Sequence, residues 1–294
     1  MFVATLIAAG KLTDEVVREA MGRLFAAGHH FEGWSWIDEG DAADLRFQGM
    51  PDIARMALAE IDHDGLDIVV QPLADRAKKL IIADMDSTMI TVECIDELAD
   101  YAGIKPQIAA ITERAMRGEL DFRAALTERV ALLGGMAESV LADCRRERVT
   151  LTPGARALVQ TMKAHGAQAV LVSGGFMPFA GPVGEAIGFD RVVANALEIA
   201  DGKLTGRVLE PIVDADTKLA TLNAEAAAHG LSLGQTLAVG DGANDIPMIA
   251  AAGLGIGYRP HPACAEAADA AIRHNDLTAL LWAQGYARRD WVTE

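Results

Sequence analysis

Three short runs, almost wholly apolar, punctuate the chain at Leu80–Ala83, Ala169–Val172 and Thr236–Val239. None alternates polar with apolar, and each ends in a polar turn, two of them glycine-rich. Such runs fit strands buried on both faces of a parallel sheet. Ligands in open α/β sheets bind beyond the carboxyl ends of the strands. A helix from Pro153 to His165, closed by Gly166, leads into the second run, and Leu254–Gly257 reads as a further strand. Val192–Ile199 and Lys203–Val208 flank Asp201-Gly202, a hairpin signal. Between the first run and Pro153 the pattern is helical throughout. Thr91–Gly103, Ile108–Met116, Phe122–Leu133 and Ala137–Arg146 are the expected helices, with Gly134-Gly135 as a turn. An inserted helical bundle beside a strand end is a candidate lid. Asp216 is expected to cap a helix carrying Lys218, and Asp276 a short final one.

The first seventy-odd residues form a separate pattern. Phe2–Ala8 predicts a strand. Thr13 predicts the cap of a helix running to about Ala27, with Val16, Val17, Ala20, Leu24 and Phe25 on its apolar face and Gly28 as its stop. Strands at Phe31–Ile37 and Asp44–Phe47, a helix at Pro51–Ile61 and a strand at Leu66–Gln71 complete a βαββαβ, ferredoxin-like order. His29-His30 reads as a loop feature, and Trp34 and Trp36 as packing residues on one strand face. Pro72–Lys78 reads as a linker. The fold class is therefore α/β: a Rossmann-like parallel-sheet core over 75–294, a helical cap inserted at about 89–150, and a small ferredoxin-like domain at 1–74.

Composition narrows the partners. The 294 residues are 51% hydrophobic, enough for a sizeable core, and the net charge is −16. So acidic a surface disfavours nucleic acid and anionic membranes. An anionic substrate would then need a metal or a few placed cations. Cys94, Cys144 and Cys264 show neither metal-ligand spacing nor a disulfide framework, which fits a reducing cytoplasm. The apolar start lacks a basic leader and reads as a strand, and no apolar run is long enough to span a bilayer.

The strand ends carry the candidate chemistry. Leu80–Ala83 runs into Asp84-Met-Asp86-Ser-Thr88, the second run into Ser173-Gly174-Gly175, and the third into Gly240-Asp241-Gly-Ala-Asn244-Asp245. Asp84 suits nucleophilic attack on phosphorus. Asp86, two residues on, can stay off a metal and exchange a proton with the leaving oxygen. Asp241 completes a hard-cation site, for which Mg²⁺ is the expected ion. Ser173 and the following backbone offer donors to an oxyanion, and Lys218 a positive charge to a phosphoryl oxygen. The Gly253-x-Gly255-x-Gly257 spacing departs from the dinucleotide fingerprint and opens no helix.

Taken in order, these four segments resemble the motifs of the haloacid dehalogenase-like phosphatases, and together they cover the chain from about residue 79 onward. The resemblance implies an aspartyl-phosphate intermediate with Asp84 as nucleophile and Asp86 as general acid/base. It also puts the Asp86 backbone carbonyl and Asp241 on the Mg²⁺, with Asn244 and Asp245 in support. Within that family, Thr91-Val-Glu93-Cys-Ile-Asp-Glu97, Leu120-Asp-Phe122-Arg123 and Glu128-Arg129-Val130 resemble the cap of the phosphoserine phosphatases. That likeness places Glu93 on a substrate ammonium and Arg129 on its carboxylate, with Met116 and Phe122 closing over the substrate. It implies hydrolysis of O-phospho-L-serine to L-serine and phosphate, the last step of serine biosynthesis. The alternatives are another small phosphomonoester such as homoserine phosphate, phosphoryl transfer to another alcohol, or a receiver-type switch. Asp86 argues against the switch, because a durable acyl phosphate does not want a general base beside the attacking water. The N-terminal order resembles ACT domains, which implies serine sensing or pairing of two copies into a homodimer.

Overall fold

A computed structural model of the chain describes residues 1–117 and 119–292 and, apart from Met116, their side chains. The chain opens with β1 (Phe2–Ile7), α1 (Asp14–Ala26), β2 (His30–Asp38), β3 (Ala42–Gln48), α2 (Pro51–Leu58) and β4 (Asp67–Pro72). The four strands form an antiparallel sheet in the order β2-β3-β1-β4. Alternation along β1 divides its residues. Ala4 and Leu6 face α1 and α2 through Val17, Leu24 and Leu58, while Ile7 joins the core of the rest of the chain. Thr13 caps α1 by accepting from the Val16 N–H. Phe25 lies off the buried face and is 78% exposed. It follows Leu24 by one position, about 100° around the helix.

The second sheet has seven strands. They are β5 (Leu80–Ala83), β6 (Gln168–Phe176), β7 (Arg191–Ala200), β8 (Lys203–Leu209), β9 (Thr236–Gly240), β10 (Leu254–Tyr258) and β11 (Ala270–Ile272). The order is β11-β10-β9-β5-β6-β7-β8, parallel except for the β7–β8 hairpin. Asp201 and Gly202 turn that hairpin with φ of 51° and 71°, the left-handed pair that a tight hairpin needs. The three runs singled out in the sequence are β5, β6 and β9, side by side in the middle. Their buried residues meet α7 (Ala155–Ala164) on one face and α9 (Ala215–Ala228) on the other.

Helices α3 (Cys94–Tyr101), α4 (Lys105–Met116), α5 (Phe122–Ala131) and α6 (Ser139–Arg148) fill the chain between β5 and α7. This inserted bundle docks on the hairpin. Gly135 N–H donates to Leu204 O, Leu204 N–H to Met136 O and Glu138 N–H to Gly202 O, at 2.8–2.9 Å. Arg123 reaches from α5 to Asp214, at 2.9 Å.

Several local expectations change. The cap of α9 is Asp214, which accepts from Thr217 N–H, and Asp216 lies in the first turn. Asp276 accepts from the Thr278 N–H and hydroxyl and so shapes the turn before the short helix Ala279–Ala283 rather than capping the helix itself. Helix α8 (Met177–Ile187) forms through Pro182, Gly181 and Gly184, residues that read as breakers. Gly184 is there for contact: a Cβ would meet Val192 Cγ2 at 2.4 Å. The linker is also firmly held. Arg76 bonds to Asp44, Thr5 and the carbonyls of Trp282 and Ala283, and Lys78 is buried against Gly234 O.

Candidate active site

Strands β9 and β5 end side by side and β6 runs on past them, with Ala83 paired with Val239 on one side and Leu171 on the other. Their register brings Asp84, Asp241 and Ser173 together. Asp84 leaves the strand with its N–H on Val239 O, and the next residues make one wide turn closed by Ile90 N–H on Met85 O. In that turn Ser87 takes a φ of 53°.

Lys218 lies under this turn, fully buried, with Nζ 2.7 Å from Asp84 Oδ1 and 2.7 Å from Asp245 Oδ1. Asp84 Oδ1 also accepts from Met85 N–H at 2.8 Å. Asp245 Oδ2 accepts from the N–H groups of Asp241 and Gly242, both at 3.1 Å. Gly240 makes room for this, because a Cβ there would fall 2.3 Å from Asp245 Cγ. Thr88 donates its hydroxyl to Asp241 Oδ1 at 3.0 Å. The carboxylates of Asp84, Asp241 and Asp245 each place an oxygen within 4.8 Å of the others.

Three buried acids against one lysine leave an excess of negative charge. Burial and the Asp245 charge hold the Asp84 carboxyl well above its ordinary range, and the same two causes push Asp241 up to about 6. Burial opposes the charge on Lys218, but Asp245 and Asp84 outweigh it and keep the ammonium protonated. An all-oxygen, net-negative pocket of this kind fits a hard divalent cation.

Asp86 turns the other way. Its Oδ1 accepts from Cys94 N–H at 2.8 Å and its Oδ2 from the Ser173 hydroxyl at 3.3 Å. Burial raises its pKa. Ser173 in turn accepts from Gly175 N–H at 2.8 Å. Gly175 is required at this spot, since a Cβ would sit 2.6 Å from Asp86 Oδ2.

A cavity of about 400 Å³ opens over these groups. Asp84, Asp86, Asp241, Gly174 and Asn244 line it from the sheet side, and Glu93, Phe122 and Arg129 from the cap side. Ser173 and Lys218 stand behind the wall. Phe122 overhangs the β6 end, where a Cβ on Gly174 would meet its Cζ at 3.3 Å. The Met116 side chain lies outside the described residues. Glu93, though exposed as a residue, accepts from the Ser87 hydroxyl at 2.6 Å, and the crowding of its carboxyl in the cleft together with the Asp86 charge pushes it up to about 7. Arg129 donates Nε to Ala125 O of its own helix, and burial lowers its pKa. Among the described residues no carboxylate lies within ion-pair distance of its guanidinium.

The strand ends therefore converge as the motif spacing predicts. Four contributors receive no role from the sequence. Ser87 and Thr88 lie within the first motif, and Asp96 within the first cap segment. His261, whose N–H donates to Asp241 O, comes from the loop after β10.

Residues 81–250 match the model of the haloacid dehalogenase-like hydrolases. The chain is 45% identical over 236 residues to the phosphoserine phosphatase SerB2 of Mycobacterium tuberculosis and 46% over 239 residues to the phosphoserine phosphatase of Streptomyces coelicolor. Each match takes in 80% of this chain but only 58% of the relative's length. A solved structure of a probable phosphoserine phosphatase from Vibrio cholerae superposes with a TM-score of 0.77 at 34% identity, covering 98% of this chain and 87% of that one.

Proposed function

The chain belongs to the haloacid dehalogenase-like hydrolase family, and from that premise we propose that it is a cytoplasmic, Mg²⁺-dependent phosphatase hydrolysing O-phospho-L-serine to L-serine and phosphate. The observation that carries this reading is the pairing of two unlike ends in one cavity. An acid cluster with a buried lysine lies at one end, and at the other lie a glutamate and an arginine that pairs with no carboxylate among the described residues. A zwitterionic amino acid ester needs both: an anion for its ammonium and a planar fork for its carboxylate.

In the proposed reaction Asp84 attacks phosphorus in line. Lys218 and Met85 N–H hold its Oδ1, which fixes the carboxylate's rotation and leaves Oδ2 unencumbered. The P–O ester bond breaks, and the serine oxygen takes the proton of Asp86, whose burial favours the protonated form. Asp86, now charged, takes a proton from water. That water attacks the aspartyl phosphate at phosphorus and releases Asp84. Mg²⁺ would be held by the Asp84 and Asp241 carboxylates and the Asp86 carbonyl, and when bound would supply charge neutralisation to the phosphoryl oxygens. Asp245 positions Lys218, and Asn244 contacts the phosphoryl group from the cavity wall. The division into a domain at 1–74 and a phosphatase domain at 75–294, capped at about 89–150, belongs to the same proposal. So does a role for the N-terminal domain in pairing two copies or sensing serine.

The test is phosphate release from a panel of esters, with Mg²⁺ or EDTA and with or without added serine. Phosphoserine should exceed phosphothreonine, phosphoethanolamine and homoserine phosphate by about tenfold or more in kcat/KM, and only with Mg²⁺. Equal turnover of all four would overturn the substrate assignment, and release limited to one equivalent per chain would overturn the enzymatic one.

A further inference from the structure

One acid in the cavity has no part in the scheme above. Helix α3 begins just after Glu93, and the Asp96 N–H donates to Glu93 O at 3.1 Å. The two side chains are three residues apart and share a helix face, and both line the cavity across from Arg129 and Thr112. The other acids of α3 behave differently. Glu97 and Asp100 turn outward to Arg148, at 3.5 and 3.4 Å. Among the described residues no cation lies within ion-pair distance of Asp96. A favourable acid at the helix start is already provided by Glu97, so capping alone does not explain an unpaired carboxylate facing inward.

We infer that Asp96 is a specificity-determining residue: with Glu93 it makes the cap end of the cavity doubly acidic around Arg129, so that the site admits phosphate esters bearing an ammonium and turns away phosphorylated hydroxy acids. The inference rests on the phosphatase reading above and sharpens its substrate class. With both acids ionised, two carboxylates and one guanidinium leave that end with an excess negative charge before any ligand arrives. A zwitterion offsets it, because its ammonium answers the second acid while its carboxylate meets Arg129. A hydroxy acid brings only the carboxylate, and its charge meets two like-charged acids with no ammonium to offset them. Both acids act on Arg129 within the cavity, so neutralising Asp96 would lower the like-charge penalty on an anion that carries no ammonium. This is exclusion by like charge, which acts against the wrong ligand as well as for the right one.

The experiment compares full-length protein and its D96N variant, with Mg²⁺, on phosphoserine and on both enantiomers of 3-phosphoglycerate, which carries a hydroxyl where phosphoserine carries the ammonium. The ratio of kcat/KM values should shift toward phosphoglycerate by about tenfold or more, the change falling on KM. D96E, which keeps the charge, should retain the wild-type ratio. A ratio within about twofold of wild type in D96N, or in D96S should D96N not fold, overturns the role of Asp96 while leaving the phosphatase reading intact. A wild-type protein inactive on phosphoserine overturns both.

Discussion

The two ends of the cavity are built on different plans. At the sheet end every charged group is already engaged. Asp84 holds Lys218, Lys218 holds Asp245, and Asp245 accepts two backbone N–H groups, with Asp84 and Asp245 just beyond strands fixed by register and Lys218 on the helix packed beneath them. At the cap end, among the described residues, Glu93 accepts one hydroxyl, Arg129 bonds only to its own helix, and Asp96 has no cation within ion-pair distance. The difference separates two tasks. Groups that must meet a developing charge are positioned beforehand, so no reorganisation is needed when the reaction occurs. Groups that choose the ligand are left wanting partners, so that the correct ligand supplies them.

The contrast can be broken at either end. The largest effect is expected from D84N, which keeps the shape of the sheet end and removes the nucleophile. Turnover of phosphoserine should fall by about a thousandfold or more, with melting temperature little changed. Wild-type turnover in that variant would remove Asp84 from the chemistry. Next comes R129K, which keeps a positive charge at the cap end and loses the fork. KM for phosphoserine should rise by about 10- to 100-fold while kcat stays within about threefold. A fall in kcat with KM unchanged would move Arg129 to the reacting end.

The smallest effect is on stability. In metal-free protein, Glu93 and Asp241 are raised to about 7 and about 6. The folded state then binds protons that the unfolded chain has lost. The stability these groups contribute is complete below their ordinary range, near pH 4, and is lost as pH rises to 7. A bound cation reverses the burden by favouring the ionised site. The gain in melting temperature on adding Mg²⁺ to EDTA-treated protein should therefore be larger at pH 8 than at pH 5. Equal gains would mean that no cation is held by this acid cluster.

The same contrast explains what could be read from the residues alone. Asp84, Asp86, Asp241, Asn244 and Asp245 sit directly after apolar runs, so strand and chemistry are announced within a few positions. Lys218 is a lone lysine on a helix, and only its place in an ordered set of motifs marks it out. Glu93 and Arg129 became visible only through likeness to known caps, because a first-turn acid and a helical arginine are ordinary surface residues. Asp96 lies in a recognised cap segment without a role, and His261 lies in none, since the part each plays depends on which way its helix or loop faces. The same limit hid α8, where proline and glycine read locally as breaks while Gly184 serves a contact with Val192.

The carboxylate of Asp67 at the start of β4 accepts the backbone N–H groups of Arg273, His274 and Asn275, and Gln71 and Arg76 clasp the carbonyl of Ala283. The opening segment of the polypeptide is thereby riveted to its closing one. The small sheet is therefore no tethered accessory but shares its fastenings with the scaffold beneath the hydrolytic cleft. A substitution that unfastens Asp67 would loosen both.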